Sequence, residues 1–258
     1  MKIYGLIGNP LSHSYSAVNF NRKFENEGID ARYLNFELPD VGDLMELIAE
    51  QPDLCGLNVT IPYKELVMPY LNDLSPLARM VGAVNTVTID RDADGEVLSL
   101  TGYNTDAPAF ARTLAPLLPD GSDPLRALVL GTGGASLAVC AGLKMLGVEP
   151  MRVSRTPRQG EMAYADIDSA VMDGVTVIVN ATPLGTAPDV DMCPDIPYDL
   201  ITENHICYDL VYNPTETLFM KQSAARGAKV KNGADMLKLQ ALLAWRIWTG
   251  ENIKNYAG

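Results

Sequence analysis

Apolar and polar positions follow a repeated strand–helix order along the first sixty residues. Three segments have the apolar pattern of short strands: Lys2–Ile7, Ala31–Leu38 and Leu54–Val59. A helical pattern begins after Ser16 and can end at Gly28, and a second one covers Val41–Glu50. Repeated strand–helix units of this kind favour a parallel sheet.

A hairpin follows these units. Asn85–Ile89 begins a strand, and the Asp94–Gly95 turn leads into a second strand at Val97–Leu100. Residues 104–118 have a helical pattern, which the polar segment from Pro119 to Pro124 interrupts. This break separates the first region from a second strand–helix alternation.

The second alternation begins at Arg126. Leu128–Gly131 has the pattern of a buried parallel strand, and Ala135–Leu146 that of the helix after it. Four further segments have strand patterns: Met151–Ser154, Val175–Asn180, Ile206–Leu210 and Ala228–Lys231. The last helix, Asp235–Thr249, is apolar on most faces, so we expect it to pack against a large surface. Together these patterns predict an α/β protein of two lobes with a cleft between them.

Composition narrows the class of partner. The chain has 258 residues, of which 47% are apolar and 20% charged, as in an ordinary globular protein of one or two domains. Its net charge is −12 and no basic patch is visible, which argues against a nucleic-acid partner. No signal-peptide pattern or membrane-length apolar run is visible, so we expect a cytoplasmic protein without a membrane partner. A monomer and a homodimer both stay open.

The cysteines and histidines lack the spacing of a metal site. Four cysteines are scattered along the chain: Cys55, Cys140, Cys193 and Cys207. Because none has a close partner in sequence, we expect buried free thiols. With two histidines in the whole chain, we expect no metal cofactor.

A glycine-rich turn begins the first helix of the second region. Residues 131–136 follow a strand directly and read Gly-Thr-Gly-Gly-Ala-Ser. Gly131 permits a tight turn, and Gly133 lets a pyrophosphate approach the backbone. The helix start at Gly134 and Ala135 offers free N–H groups to the same phosphates. Ser136 takes a place usually filled by glycine or alanine. The segment predicts a dinucleotide site, with a purely structural turn as the alternative.

The end of the next strand indicates which dinucleotide binds. A site for NAD usually has an acidic residue there, about 20 residues downstream of the turn. This chain instead places hydroxyl and basic side chains there: Ser154, Arg155, Thr156 and Arg158. An arginine can stack on adenine and pair with a 2′-phosphate, so we favour NADP over NAD. The alternative is that both arginines belong to a solvated loop.

Two ionisable residues are candidates for the reacting centre. Lys64 follows a strand and Pro62, and Asp106 lies at the start of a predicted helix. A lysine and a carboxylate near one substrate hydroxyl can hold it, take its proton as hydride leaves and stabilise the developing alkoxide. Their titrations would be coupled, so the proton is not assigned to one of them. The structural alternatives are a surface lysine and a helix N-cap.

Uncharged polar residues lie beside several strand ends: Asn58, Thr60, Asn85 and Asn104. Amides and hydroxyls in such places suit a polyhydroxylated ligand. Ser12 and Ser14 precede a helix and could hold a carboxylate, although Ser14 or Ser16 could equally be a plain N-cap. Gln240 interrupts an apolar helix, where it is either a satisfied core amide or a ligand for a hydroxyl.

The chain resembles the shikimate dehydrogenases over essentially its full length. The resemblance rests on Gly-Asn-Pro-Leu-Ser-His-Ser at 8–14, Asn-Val-Thr-Ile-Pro-Tyr-Lys at 58–64 and Gly-Tyr-Asn-Thr-Asp at 102–106. It implies that Lys64 and Asp106 are the catalytic pair. It implies substrate contacts from Ser12, Ser14 and Tyr212 to the carboxylate, and from Thr60, Asn85 and Gln240 to ring hydroxyls. It implies cofactor contacts from the glycine turn, residues 154–156, Thr182, Gly233 and Met236.

Three positions on the cofactor side differ from the family pattern. Ser154 stands where an asparagine is common, Arg158 lies one position earlier than a second arginine often does, and Pro183 replaces a usual serine. Both proposed reacting groups are nevertheless present.

The resemblance implies two α/β domains. Residues 1–105 with 235–258 form an N-terminal substrate-binding catalytic domain, and residues 106–234 form a Rossmann-type NADP-binding domain. The implied reaction is the reversible reduction of 3-dehydroshikimate to shikimate with NADPH, in the chorismate route to aromatic amino acids. The alternatives are a quinate/shikimate dehydrogenase using NAD or both cofactors, and a non-catalytic sensor of shikimate-type ligands. Intact Lys64 and Asp106 argue against the sensor, and the pair Ser12 and Ser14 favours shikimate over the bulkier quinate.

Overall fold

The computed structural model describes residues 1–11, 15–121 and 124–250. The chain divides into two compact units, one of Met1–Thr105 with Ala241–Gly258 and the other of Asp106–Gln240. Within the described ranges, no helix is long and apolar enough to cross a bilayer. Nor do three or more His, Cys, Asp or Glu side chains of these ranges group as metal ligands would.

The first unit contains a six-stranded mixed sheet. Its strands are β1 Lys2–Gly8, β2 Ala31–Glu37, β3 Leu54–Val59, β4 Asp73–Leu74, β5 Thr86–Arg91 and β6 Val97–Tyr103. Its helices are α1 Tyr15–Glu27, α2 Leu44–Glu50, α3 Tyr63–Leu66 and α4 Pro76–Val81. The strand order is β2-β1-β3-β5-β6-β4, in which β1 pairs in parallel with both β2 and β3.

The prediction of a parallel sheet is wrong for two of the five strand pairings in this unit. β5 pairs antiparallel with β3 and with β6. The predicted hairpin causes the pairing of β5 with β6: Gly95 has φ +88°, and the Asp92 carboxylate accepts hydrogen bonds from the backbone N–H groups of Asp94 and Glu96. A tight turn returns the chain beside itself, which gives antiparallel pairing, whereas parallel pairing needs a crossover.

The second unit contains a six-stranded sheet that is parallel throughout. Its strands are β7 Leu125–Leu130, β8 Val148–Ser154, β9 Met162–Ala163, β10 Val177–Asn180, β11 Ile206–Asp209 and β12 Lys229–Lys231. Its helices are α5 Asp106–Leu114, α6 Gly134–Met145, α7 Ser169–Asp173, α8 Leu218–Ala224 and the beginning of α9 Ala234–Thr249. The order β12-β11-β10-β7-β8-β9 shows that the chain runs outward from β7 to β9 and then returns to β10 on the other side of β7.

The last helix packs as expected, against a large apolar surface. In the first unit, Trp245 joins a buried cluster with Tyr4, Phe20, Phe24 and Tyr33. Trp248 lies against this cluster and donates a hydrogen bond from its indole N–H to the carbonyl of Val87, 2.9 Å away. Gly56 lies directly against the Trp248 indole, where a Cβ would clash.

The prediction of free thiols is confirmed, whereas the prediction that they are buried is correct for Cys207 and wrong for the other three cysteines. All four cysteines are free, and Cys207, the fully buried one, lies on β11 between β10 and β12. The other three are half-buried: Cys55 lies on β3, Cys140 on α6 and Cys193 in the loop between β10 and β11.

Candidate functional site

The glycine turn lies at a topological switch point of the second sheet. β8 and β10 flank β7 on opposite sides, so connections diverge at the carboxyl end of β7, where open α/β sheets bind their ligands. β7 ends at Leu130, and Gly131 has φ +113°, a conformation that side chains other than glycine rarely adopt. The chain then enters α6 at Gly134, with Gly133 as its N-cap.

The start of α6 is open to a ligand. A Cβ on Gly133 would meet no heavy atom within 4 Å, and Gly133 is exposed. Ser136, the unusual residue of the turn, is fully buried and donates a hydrogen bond from its hydroxyl to the carbonyl of Gly133, 2.7 Å away. The serine therefore satisfies its own polar atom and leaves the first N–H groups of α6 available to an anion.

Thr182 lies beside this turn through its position after β10. Its side-chain methyl would lie 3.1 Å from a Cβ on Gly131. Its hydroxyl donates to Asn180 Oδ1 at 2.6 Å and accepts from the N–H of Leu184 at 3.2 Å. These bonds hold the loop after β10 in one conformation.

A buried hydrogen-bond network continues from Asn180 to the end of β11. Asn180 Nδ2 donates to Asp209 Oδ1 at 2.9 Å, and the N–H of Val211 donates to the same oxygen at 3.0 Å. The Thr217 hydroxyl donates to Asp209 Oδ2 at 2.6 Å and also caps α8. Asp209 is 0% exposed, and burial raises its pKa to about 6 although these three donors oppose the shift. The network joins the loops after β10 and β11.

The residues predicted to select the cofactor lie at the end of β8. Ser154 is its last residue, and its Oγ accepts a hydrogen bond from the N–H of Thr156 at 3.2 Å. Arg155, Thr156 and Arg158 are exposed in the loop that follows. Exposed guanidinium groups at the end of the strand after the glycine turn can reach the ribose end of a bound dinucleotide.

Four other proposed cofactor or substrate residues lie in the second unit, three of them on α9 or directly before it. Gly233 is buried against the backbone of Leu210, where a Cβ would clash, so packing by itself explains this glycine. Met236 is buried in the first turns of α9. Gln240 is half-buried and donates from Nε2 to the carbonyl of Leu237 at 3.0 Å, while Tyr212 is 36% exposed after β11.

A second buried network occupies the strand ends of the first unit. Tyr33 donates from its hydroxyl to Asn58 Oδ1 at 2.8 Å. Asn58 Nδ2 donates to the carbonyl of Asn85 at 3.1 Å and to Thr86 Oγ1 at 3.2 Å. Asn85 in turn donates to Thr105 Oγ1 and accepts from the N–H of Thr105, both at 2.8 Å. Both Nδ2 hydrogens of Asn58 are therefore used within the protein, so a ligand could reach its amide through oxygen alone.

Lys64 lies on the short helix α3, which the sequence did not predict. The carbonyl of Lys64 accepts a hydrogen bond from the N–H of Val84 at 2.7 Å, and the Tyr63 hydroxyl donates to the carbonyl of Leu38 at 2.6 Å. These bonds fix α3 by its backbone and by the buried Tyr63. Thr60 precedes this helix and donates its N–H to the carbonyl of Ile7, which places it beside the end of β1.

Asp106 opens α5 in the second unit and is 6% exposed. A carboxylate in a first helical turn is favoured by the helix dipole, so the structural and the chemical interpretations of Asp106 are compatible. Asn104 donates from Nδ2 to the carbonyl of Ala83 at 2.9 Å and is a buried structural amide in the first unit. Ser12 and Ser14 lie outside the described residues.

Sequence reasoning missed the roles of Asp209 and Glu161. Asp209 is the last residue of the apolar strand β11, and a carboxylate in that place signals a buried polar partner. Its partners Asn180 and Thr217, however, cannot be identified from the sequence. Glu161 lies in a polar loop and carries no such signal, although its side chain is 3% exposed.

Comparison with known proteins supplies the family. Residues 6–87 match the family model described as the shikimate dehydrogenase substrate binding domain. A protein of Desulforamulus reducens named shikimate dehydrogenase (NADP(+)) is 34% identical, over 96% of this chain and 90% of its own length. One of Methanococcus maripaludis with the same name is 35% identical, over 96% and 91%. The chain belongs to the shikimate dehydrogenase family.

Solved shikimate dehydrogenases have the same fold. The enzyme of Aquifex aeolicus matches with a TM-score of 0.83 and 34% identity, over 97% of this chain and 93% of its own. The Thermus thermophilus enzyme, solved in complex with NADP(H) and shikimate, matches with a TM-score of 0.81 and 34% identity, over 97% and 94%. The predicted fold class of an N-terminal α/β substrate domain and a Rossmann-type nucleotide domain is confirmed.

Proposed function

We propose that this chain catalyses the reversible NADPH-dependent reduction of 3-dehydroshikimate to shikimate. The observation that carries the proposal is a family match that spans both units of the chain. A glycine-rich turn at the switch point of the second sheet supports it. Lys64 on α3 and Asp106 on α5 supply the two reacting groups that such a reaction needs.

NADP fits the residues at the carboxyl end of the second sheet. The open N-terminus of α6, around Gly133, suits the pyrophosphate, and the exposed Arg155 suits a 2′-phosphate. The nicotinamide side would be lined by Thr182, Gly233 and Met236. NADPH, when bound, supplies the hydride.

The protein side chains manage the proton and the orientation of the substrate. We propose that Lys64 and Asp106 together hold the reacting hydroxyl, take its proton during oxidation and return it during reduction. Thr60, Asn85 and Gln240 would contact the ring hydroxyls. Ser12, Ser14 and Tyr212 would hold the carboxylate, and Asn58 would hold Asn85 in place through the hydrogen bond to its carbonyl.

The deciding experiment crosses two substrates with two cofactors. Shikimate and quinate are each mixed with NADP and NAD, and reduced nicotinamide is followed by its absorbance. Rapid reduction with shikimate and NADP supports the proposal. Rates with quinate or with NAD that equal the rate with shikimate and NADP would indicate the dual-specificity enzyme instead. Binding of shikimate without turnover in any of the four mixtures would indicate the sensor.

Replacing Arg155 tests the choice of cofactor. We expect Arg155→Ala to raise the Kd for NADP by roughly 10- to 100-fold, because a charge-assisted contact to a phosphate dianion is lost. The Kd for NAD, which has no 2′-phosphate, should change less than about twofold. Titration calorimetry measures both, and Arg226→Ala, an exposed arginine of the same unit, is the matched control. Equal losses for the two cofactors would contradict the assignment.

A further inference from the structure

The loop between β8 and β9 carries the proposed phosphate ligands and is exposed along nearly all of its length. Residues 155–160 are all exposed. Glu161 ends this loop, yet its side chain is 3% exposed, and a glutamate is rarely buried to that extent unless it is paired. A buried carboxylate needs partners, and its partners here lie in the same loop and on β8.

Glu161 joins three parts of this loop. Its Oε1 lies 3.1 Å from Nη2 of Arg152, on β8, in an ion pair whose arginine is one-third exposed. Its Oε2 accepts a hydrogen bond from the N–H of Arg158 at 2.9 Å. Its own N–H donates to the carbonyl of Arg158 at 2.9 Å, which closes a turn in which Gly160 has φ +83°. Arg158 is thus held through both its N–H and its carbonyl.

The other end of the loop is also held. Ser154 Oγ accepts from the N–H of Thr156, and Arg155 lies near the half-buried Tyr164. Burial raises the pKa of the Tyr164 hydroxyl, and the Arg155 guanidinium offsets part of this rise. With both ends held by the protein, the side chains of Arg155, Thr156 and Arg158 stay directed to solvent.

The charge of Glu161 makes its pairing with Arg152 necessary. An unpaired carboxylate in the same loop as Arg155 and Arg158 would repel a phosphate dianion that binds there. In the structure the Arg152 guanidinium neutralises it from the side of β8. Glu161 can therefore order the loop without opposing an anionic ligand.

We propose that Glu161 is a positioning residue for the 2′-phosphate of the adenosine end of NADP, acting through Arg158 and the loop that also carries Arg155. The inference rests on the proposed function for the identity of the cofactor. It assigns the preference for NADP over NAD to an ordered loop, in addition to the arginines themselves. An ordered loop binds more tightly than a mobile one because less conformational entropy is lost on binding.

The test compares Glu161→Ala and Glu161→Gln with Glu149→Ala, an exposed glutamate on β8. Titration calorimetry measures the Kd of each variant for NADP, NAD and adenosine 2′,5′-bisphosphate. We expect Glu161→Ala to raise the Kd of both 2′-phosphorylated ligands about tenfold and to change the Kd of NAD less than about twofold. Glu149→Ala should change none of the three Kd values. Glu161→Gln should lie between, because its amide oxygen can still accept from Arg158 but the ion pair is lost.

Two readouts separate this role from general stability and from catalysis. If Glu161 had a purely structural role, its replacement would lower the melting temperature and weaken the binding of NADP and of NAD to the same extent. That result would overturn the inference, and so would unchanged affinities for both cofactors. At saturating NADP, kcat of Glu161→Gln should match the wild-type value while KM for NADP rises. The binding of adenosine 2′,5′-bisphosphate does not depend on turnover. Weaker binding of this ligand to Glu161→Ala would therefore support the inference even if the wild-type chain oxidised no shikimate.

Discussion

Lys64→Ala is expected to lower kcat for shikimate oxidation by roughly 10²- to 10⁴-fold, the usual contribution of a general acid–base group. The Kd for NADP should stay within about twofold of the wild-type value, because Lys64 lies on α3 of the first unit and the nucleotide turn lies in the second. Steady-state kinetics at saturating NADP, together with calorimetric NADP binding, measures both quantities.

The fold should survive this substitution. α3 is held by the hydrogen bond from the N–H of Val84 to the carbonyl of residue 64 and by the buried Tyr63, neither of which needs the lysine side chain. Lys2→Ala, at an exposed lysine of the same unit, is the matched control and should leave kcat unchanged. Lys64→Arg keeps the positive charge but cannot exchange a proton near neutral pH, so it should stay nearly as slow as the alanine variant. Wild-type turnover in Lys64→Ala would remove the residue from the mechanism.

Asp209 should make the folded state lose stability as pH rises from 4 to 7. In the unfolded chain its carboxyl loses its proton near the ordinary pKa of 3.8, whereas in the folded state burial keeps the proton until about pH 6. Between these values the folded state binds more protons, so its free energy of unfolding decreases with pH. The full difference corresponds to about 3 kcal/mol, of which about 2 kcal/mol falls between pH 4 and pH 7.

Asp209→Asn isolates this contribution from that of the other carboxylates. The amide oxygen can accept from Asn180 and Val211 as the carboxylate does, and the amide N–H can donate to Thr217, so the network is preserved without a titrating group. Urea unfolding of both proteins at pH 4 and pH 7 gives the measurement. We expect the wild type to lose about 2 kcal/mol relative to the variant over this range. A difference in stability that is the same at both pH values would contradict the raised pKa.

The sequence by itself was sufficient to predict features that depend on residues close together along the chain. The strand–helix alternation, the helix end at Gly28, the Asp94–Gly95 hairpin and the turn at Gly131 all follow from local periodicity and glycine conformation. Six short elements were missed: the strands β4 and β9 and the helices α3, α4, α7 and α8. The two strands have two residues each, and the four helices have at most seven, which is too few to show a helical period.

The tertiary structure decided which distant polar residues meet. Asn58 and Asn85 are joined because β3 and β5 are neighbours, and Asn180 meets Asp209 because β10 and β11 are. Residues on neighbouring strands interact at short range whatever their distance along the chain, and no local pattern encodes which strands pair. The burial of Glu161 has the same origin, because its partner Arg152 lies on β8, beyond the intervening loop. The chemistry of the candidate site is therefore visible in the sequence, whereas the contacts that hold its loops arise from the order of the strands.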